Sequence, residues 1–178
     1  MKVYFSHGKE SGPEGSKIQR LRAVATKLGM ESESIDYRGM DDPEARVDKL
    51  MQRLDEANHQ ANSVVLVGSS MGAYVSARVL HDFPRAVFAG VFLLAPAVYM
   101  PGYESTAIIP AQGSGKSGVP LSVVHGWNDD VVPWQNALRY AQQCSADLHL
   151  MADEHRLMGC LDQIEELFEQ FLRSQLLV

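Results

Sequence analysis

The most informative stretch of this chain reads Val64-Val65-Leu66-Val67-Gly68-Ser69-Ser70-Met71-Gly72-Ala73. Its first four residues are apolar and mostly β-branched, which predicts a strand buried on both faces. The apolar run ends at Gly68, and apolar residues then recur at helical spacing from Ala73 to Leu80. The stretch therefore predicts a strand that turns directly into a helix.

Within this turn lies the pattern Gly-x-Ser-x-Gly, at positions 68, 70 and 72. A strand that passes at once into a helix forces its central residue into a strained backbone, which exposes the Ser70 hydroxyl at the positive end of the helix. Small residues two places on either side are needed because the turn is crowded. Ser70 is therefore a candidate nucleophile, and the alternative is a glycine-rich turn with an incidental serine.

Composition limits the other classes of function. The chain has 178 residues, of which 46% are hydrophobic and 21% charged, and a formal net charge of −6. We expect a single domain over residues 1–178, located in the cytoplasm, with neither nucleic acid nor membrane as a partner. Cys144 and Cys160 lack a metal-type spacing and are expected to be reduced. The oligomeric state is left open.

Strand and helix patterns alternate along the whole chain. Strands are expected at 3–5, 31–37, 64–67, 87–94, 120–124 and 147–151, and helices at 17–28, 43–58, 73–80, 133–143 and 156–172. Ser16 is the expected N-cap of the first helix, and Pro43 the first residue of the second. This order predicts an α/β fold, a three-layer sandwich with about six mostly parallel strands and helices on both faces.

Periodicity fails between Ala97 and Gly118, where Gly, Pro and Ser accumulate. A stretch of this length without secondary structure inside a small domain is often functional. We therefore expect a short lid-like insertion over residues 97–118. Tyr99 and Trp127 are candidates for the lining of a substrate pocket.

A serine nucleophile needs a base, and the base needs a group that orients it. Of the six histidines, His155 follows the last predicted strand, at the rim where ligands bind in parallel sheets. The orienting acid should lie between the serine and this histidine in the chain. Asp129 and Asp130 both follow a predicted strand, and one of them could instead cap the next helix.

The negative charge that develops during acyl transfer needs backbone N–H donors. The residue after the nucleophile, Met71, would supply one of them. The loop Ser6-His7-Gly8-Lys9 after the first strand would supply the other, and Lys9 is the preferred donor. An ordinary tight turn is the alternative interpretation of this loop. His125 with Asp129 and Asp130 is weak evidence for a metal site, so no metal and no cofactor are expected.

Taken together, four motifs resemble the α/β-hydrolase superfamily, in particular its small bacterial esterase-like members. They are His7-Gly8, Gly68-x-Ser70-x-Gly72, His125-Gly126-x-x-Asp129-x-x-Val132-Pro133 and Asp153-x-His155-Arg156-Leu157. The resemblance spans residues 3–172 and implies Ser70 as nucleophile, Asp129 as acid and His155 as base. The antiparallel strands that commonly precede the His-Gly strand are absent here, so the implied sheet is a reduced one of six strands.

These inferences predict a serine hydrolase that cleaves a small carboxylic ester through an acyl-enzyme. A thioesterase with the same three residues is one alternative. A non-catalytic binding module on the same fold is another. The physiological substrate and its acyl-chain length are not specified by the sequence.

Overall fold

A computed structural model describes residues 1–105, 108 and 118–177, and the structural statements below concern those residues. The chain alternates between strand and helix throughout. The strands are β1 (Lys2–Ser6), β2 (Glu31–Ile35), β3 (Val64–Ser69), β4 (Phe88–Leu94), β5 (Leu121–Gly126) and β6 (Asp147–Met151). The helices are α1 (Ser16–Lys27), α2 (Pro43–Ala57), α3 (Met71–Asp82), α4 (Trp134–Cys144) and α5 (Leu161–Gln175), with a short 3-10 turn at Arg85–Val87.

The six strands form one sheet in the order β2-β1-β3-β4-β5-β6, and every neighbouring pair is parallel. The predicted α/β architecture is therefore confirmed. Since the strands are parallel, the segments that follow β1, β3, β5 and β6 all meet at one edge of the sheet. The register pairs Ser6 with Gly68, so the loop after β1 begins beside the turn after β3.

Alternate side chains of each inner strand pack into two separate cores. On one face, Tyr4 and Leu66 pack with the apolar sides of α2, α3 and α4. On the other, Phe5 and Val67 pack with α1 and α5. Successive residues of these strands face opposite sides of the sheet, and both sides are covered by helices. Apolar residues are therefore required at odd and even strand positions alike.

Most helix boundaries differ from the prediction by one or two residues, and two helix starts differ for a specific structural reason. Gly15, in extended conformation, is the N-cap of α1 in place of Ser16, which already belongs to the helix. The last helix begins at Leu161, and not at Arg156, because the Asp153 carboxylate accepts hydrogen bonds from the N–H groups of Glu154 and Cys160. These bonds fold residues 153–160 into a turn.

The predicted start of the second helix at Pro43 is confirmed. Asp42 caps α2 by accepting from the Glu44 N–H, with Pro43 at the first helical position. Cys144 and Cys160 are free and buried. The lid-like insertion predicted over 97–118 lies partly outside the described residues, although Val98 and Ile108 are buried in the core. Among the described helices, none combines the length and hydropathy that crossing a membrane requires.

Candidate active site

Ser70 lies in the turn between β3 and α3 with a strained backbone, at φ 55° and ψ −118°. The turn is possible because the residues two places before and after Ser70, Gly68 and Gly72, have no side chain. A Cβ on Gly72 would lie 1.9 Å from the Ser6 carbonyl oxygen, and a Cβ on Gly68 would lie 2.4 Å from the Gly72 carbonyl oxygen. The Ser70 N–H donates to the Leu94 carbonyl, which ties the turn to β4. The Gly-x-Ser-x-Gly pattern is thus a steric requirement of this turn.

The structure brings Ser70, His155 and Asp129 into one hydrogen-bonded chain. His155 Nδ1 lies 2.7 Å from Asp129 Oδ2, and His155 Nε2 lies 3.0 Å from Ser70 Oγ. A carboxylate only accepts, so Nδ1 carries the hydrogen and Nε2 is left to accept from the Ser70 hydroxyl. This is the orientation that a base acting on Ser70 needs.

Asp129 is held by four donors. Its Oδ1 accepts from the backbone N–H groups of Val131 and Val132, at 2.9 and 2.7 Å. Its Oδ2 accepts from His155 and also from His125 Nε2, 3.1 Å away. Burial of the side chain raises the pKa of Asp129, but these hydrogen bonds outweigh burial and hold it well below its usual range. Asp130 is exposed, and the structure resolves the choice between the two aspartates in favour of Asp129 as the partner of His155.

His125 also belongs to this cluster, although the sequence analysis considered it beside Asp129 only as weak evidence for a metal site. Its Nε2–H is shared between Asp129 and the Val132 carbonyl oxygen, which lies 2.9 Å away. The ring is fully buried, and its Nδ1 has no hydrogen-bond partner among the described residues. His125 therefore supplies a donor to the acid, and its place directly before Gly126 at a strand end was the available signal.

The loop after β1 is fixed by buried polar contacts. The Tyr37 N–H donates to His7 Nε2 at 3.0 Å, so His7 Nδ1 carries the hydrogen and donates to the Gly8 carbonyl at 2.7 Å. Burial lowers the pKa of His7. Arg46 in α2, itself buried, donates from Nη1 to the His7 carbonyl at 3.1 Å and from Nε to the Met40 carbonyl at 2.7 Å. Sequence reasoning missed Arg46, since an arginine on an amphipathic helix is ordinarily exposed.

Both predicted oxyanion donors lie near Ser70. Met71 is the next residue and opens α3, and Lys9 lines the same cavity as Ser70. Neither backbone N–H donates a hydrogen bond to another of the described residues. Both donors are therefore available to an oxygen atom of a ligand.

A cavity of about 560 Å³ opens beside Ser70 and His155. Its described lining comes from the loop after β1, the first residues of α1 and the segments after β4, β5 and β6: residues 7–11, 15–18, 69–70, 97, 100, 103, 131–132, 155–156 and 158. Such a volume suits a small organic ligand.

The two residues predicted to line a pocket, Tyr99 and Trp127, do not line this cavity. The Tyr99 hydroxyl donates to Gln143, and its ring packs under the Arg139 guanidinium. Trp127 packs edge-on against Trp134, with ring centroids 4.9 Å apart, and is 48% exposed. Both residues were chosen as aromatic residues near strand ends, where a bend of the loop can turn a side chain away from the cavity. Met100 and Tyr103, from the same segment as Tyr99, do line the cavity.

The chain is similar to known proteins over most of its length. A family model described as serine hydrolase matches residues 21–157. A crystal structure from Xanthomonas campestris pv. campestris, assigned to the α/β hydrolase superfamily, is 31% identical, with 97% of each chain covered and a TM-score of 0.80. No relative was found among curated proteins.

More distant structures share the fold. Est1E from Butyrivibrio proteoclasticus is 16% identical with a TM-score of 0.82, covering 99% of this chain and 88% of that one. Mouse alpha/beta hydrolase domain-containing protein 10 is also 16% identical, with a TM-score of 0.76 and coverage of 97% and 90%. From the family match over most of its length and the six-stranded parallel sheet, the chain belongs to the serine hydrolase family of the α/β-hydrolase superfamily.

Proposed function

We propose that this serine hydrolase cleaves a small carboxylic ester through an acyl-enzyme intermediate on Ser70. The observation that carries the proposal is the hydrogen-bonded chain from Asp129 through His155 to Ser70, which ends at the wall of the 560 Å³ cavity. The order and the distances of Ser70, His155 and Asp129 match those of a nucleophile, a base and an orienting acid in acyl transfer, which supports the proposal.

In the first step Ser70 Oγ attacks the ester carbonyl while its proton passes to His155 Nε2. Asp129 keeps His155 in the required tautomer and stabilises the imidazolium that forms. The N–H groups of Lys9 and Met71 donate to the oxyanion, a contribution of about 10²–10³ in rate for each donor. The alcohol leaves with the proton from His155.

The second step releases the acyl group. Water attacks the acyl-enzyme while His155 Nε2 takes its proton, and collapse of the tetrahedral intermediate returns that proton to Ser70 Oγ and frees the carboxylic acid. Loop residues His7 and Gly8 stay in place through this cycle because Arg46 and Tyr37 hold them.

Covalent labelling with a fluorophosphonate probe tests the proposal. We expect wild-type protein to gain one label, mapped to Ser70 by peptide mass spectrometry. Ser70→Ala abolishes labelling, and His155→Ala slows it by roughly 10³-fold or more. A parallel screen of oxygen esters against acyl thioesters shows which bond is cleaved. The absence of labelling on folded wild-type protein would favour a non-catalytic binding module instead.

A further inference from the structure

The cavity wall carries a lysine that the proposed mechanism does not use. Lys17, in the first turn of α1, lines the cavity that contains Ser70 and His155. It also lines a small adjoining space against the sheet, among the apolar side chains of Phe5, Leu21 and Leu94. The Lys17 side chain is thus positioned between the hydrophobic core and the reacting groups.

No carboxylate of the described residues pairs with this lysine. Its ammonium makes neither an ion pair nor a hydrogen bond with any residue of the ranges 1–105, 108 and 118–177. Two carboxylates act on its charge, and both already accept from other donors: Asp129 from His155 and His125, and Asp153 from the N–H groups of Glu154 and Cys160. A cation without a partner beside a ligand cavity is a recognition group for an anion.

The other charged groups of the cavity do not cancel this charge. Glu10 is the one carboxylate in the described lining, and it lies 3.9 Å from the Arg156 guanidinium, with both side chains exposed. Lys9 adds a second positive charge at the exposed rim. The described lining therefore has more cations than carboxylates, although the whole chain carries a net charge of −6.

The titration of Lys17 is consistent with this environment. Burial lowers its pKa to about 8, against the opposing influence of Asp129 and Asp153, while Arg156 lowers it further. Cys160, which also lies near, is neutral at that pH because burial raises the pKa of its thiol to about 12. Below pH 8 the site thus contains a poorly solvated ammonium group.

We propose that Lys17 binds a negatively charged group of the substrate, so that this hydrolase prefers esters carrying a carboxylate over neutral esters of the same size. The inference rests on the proposed ester hydrolysis at Ser70 and adds the chemical class of the substrate. Lys17 acts here as a specificity residue and takes no part in proton transfer.

Two pairs of esters, matched except for charge, test the inference. The first is 4-nitrophenyl hydrogen adipate with its methyl ester, which places the charge on the acyl side. The second is 4-(butanoyloxy)benzoate with its methyl ester, which places it on the leaving group. At pH 7 we expect wild type to prefer the charged ester of at least one pair in kcat/KM. Lys17→Met should lower kcat/KM for that charged ester roughly tenfold and change the neutral one less than about twofold.

Lys27→Met is the matched control, since Lys27 lies in the same helix, is exposed and pairs with Glu169 away from the cavity. It should leave the preference unchanged. Fluorophosphonate labelling of Ser70 at the wild-type rate verifies that Lys17→Met is folded and retains its reacting groups. Wild type alone gives a second measurement: the preference should persist below pH 8 and disappear above it, as the ammonium loses its proton.

The outcomes separate the two proposals. Hydrolysis of the neutral esters without any preference for charge, or a preference that survives Lys17→Met, would overturn the inference and leave the proposed function intact. If none of the four esters is hydrolysed and Ser70 is not labelled, the proposed function is overturned, and the inference with it.

Discussion

At the residue scale, the two carboxylate oxygen atoms of Asp129 accept hydrogen bonds from different groups. Oδ1 accepts from the backbone of its own loop, at Val131 and Val132, and so fixes the position of the carboxylate. Oδ2 accepts from the side chains of His155 and His125. Because all four donors point at one buried carboxylate, the acid is ionised and immobile, which allows it to define the tautomer of His155.

Replacement of Asp129 by asparagine tests this role. An amide can turn its NH2 group toward His155 and so favour the tautomer that carries hydrogen on Nε2, which is unable to accept from Ser70. We expect Asp129→Asn to lower kcat for ester hydrolysis by roughly 10³–10⁴-fold, while circular dichroism shows an intact fold. The control is Asp130→Asn at the exposed neighbour, which should retain wild-type activity within about twofold. Equal losses in the two variants would refute the assignment.

At the scale of elements, the junction between β3 and α3 is set against the loop that follows β1. Gly72 in α3 touches the backbone of Ser6 and His7, so the helix begins in direct contact with the loop that presents Lys9. Arg46 reaches the same loop from α2 and donates to the His7 carbonyl. Ser70 and the proposed oxyanion donors are therefore positioned by a close backbone contact at Gly72 and by a hydrogen bond from the buried Arg46.

Replacement of Gly72 by alanine tests how closely α3 packs against the loop after β1. In Gly72→Ala the added Cβ would lie 1.9 Å from the Ser6 carbonyl oxygen, so helix or loop has to move. We expect the free energy of unfolding in urea to fall by more than about 3 kcal/mol, with loss of ester hydrolysis. Gly12→Ala is the control, because the atom nearest to a Cβ added there, in the Arg38 side chain, lies 3.7 Å away. We expect this variant to change the free energy of unfolding by less than about 0.5 kcal/mol. A small effect at Gly72 would show that the junction can relax.

At the scale of the whole molecule, aromatic rings connect α5 to the sheet. Phe168 is fully buried, with its ring centroid 5.1 Å from that of Phe92 and 6.4 Å from that of Phe5. The core on this face is shared with α1, the helix that carries Lys17. Since the two cores lie on opposite faces of one sheet, we expect them to unfold together as a single domain.

Truncation of Phe168 tests this coupling. Phe168→Ala should lower the free energy of unfolding by about 3–5 kcal/mol through the cavity it leaves. Near- and far-ultraviolet circular dichroism should still report one coincident transition. Leu177→Ala, at a residue that is 89% exposed, should change stability by less than about 0.5 kcal/mol. Two separate transitions would contradict the single domain predicted over residues 1–178.

Much of this architecture was predictable because its signals are local. Strands and helices follow from short apolar periods, and the turn at Ser70 follows from two glycines on either side of one serine, so both were anticipated. The position of His155 beside Ser70 was also predictable, because the end of a parallel strand places a side chain at the rim whatever its neighbours are. The start of α5 was misplaced, since the Asp153 carboxylate replaces a helical turn with its own hydrogen bonds.

The contacts between distant residues could not be predicted in the same way. Periodicity reports which side of a helix is apolar but not which loop that side will meet, so Arg46, 39 residues from His7, looked like a surface residue. In the sequence, Lys17 likewise looks like an ordinary lysine in the first turn of a helix. Only the packing of α1 beside the cavity shows that it lines the site. The one-dimensional pattern thus specified the layers, the strained serine and the rim histidine, because each depends on neighbours in the chain. The buried arginine, the second histidine on Asp129 and the unpaired lysine emerged only on folding, because burial and charge pairing depend on which segments come to share one edge of the sheet.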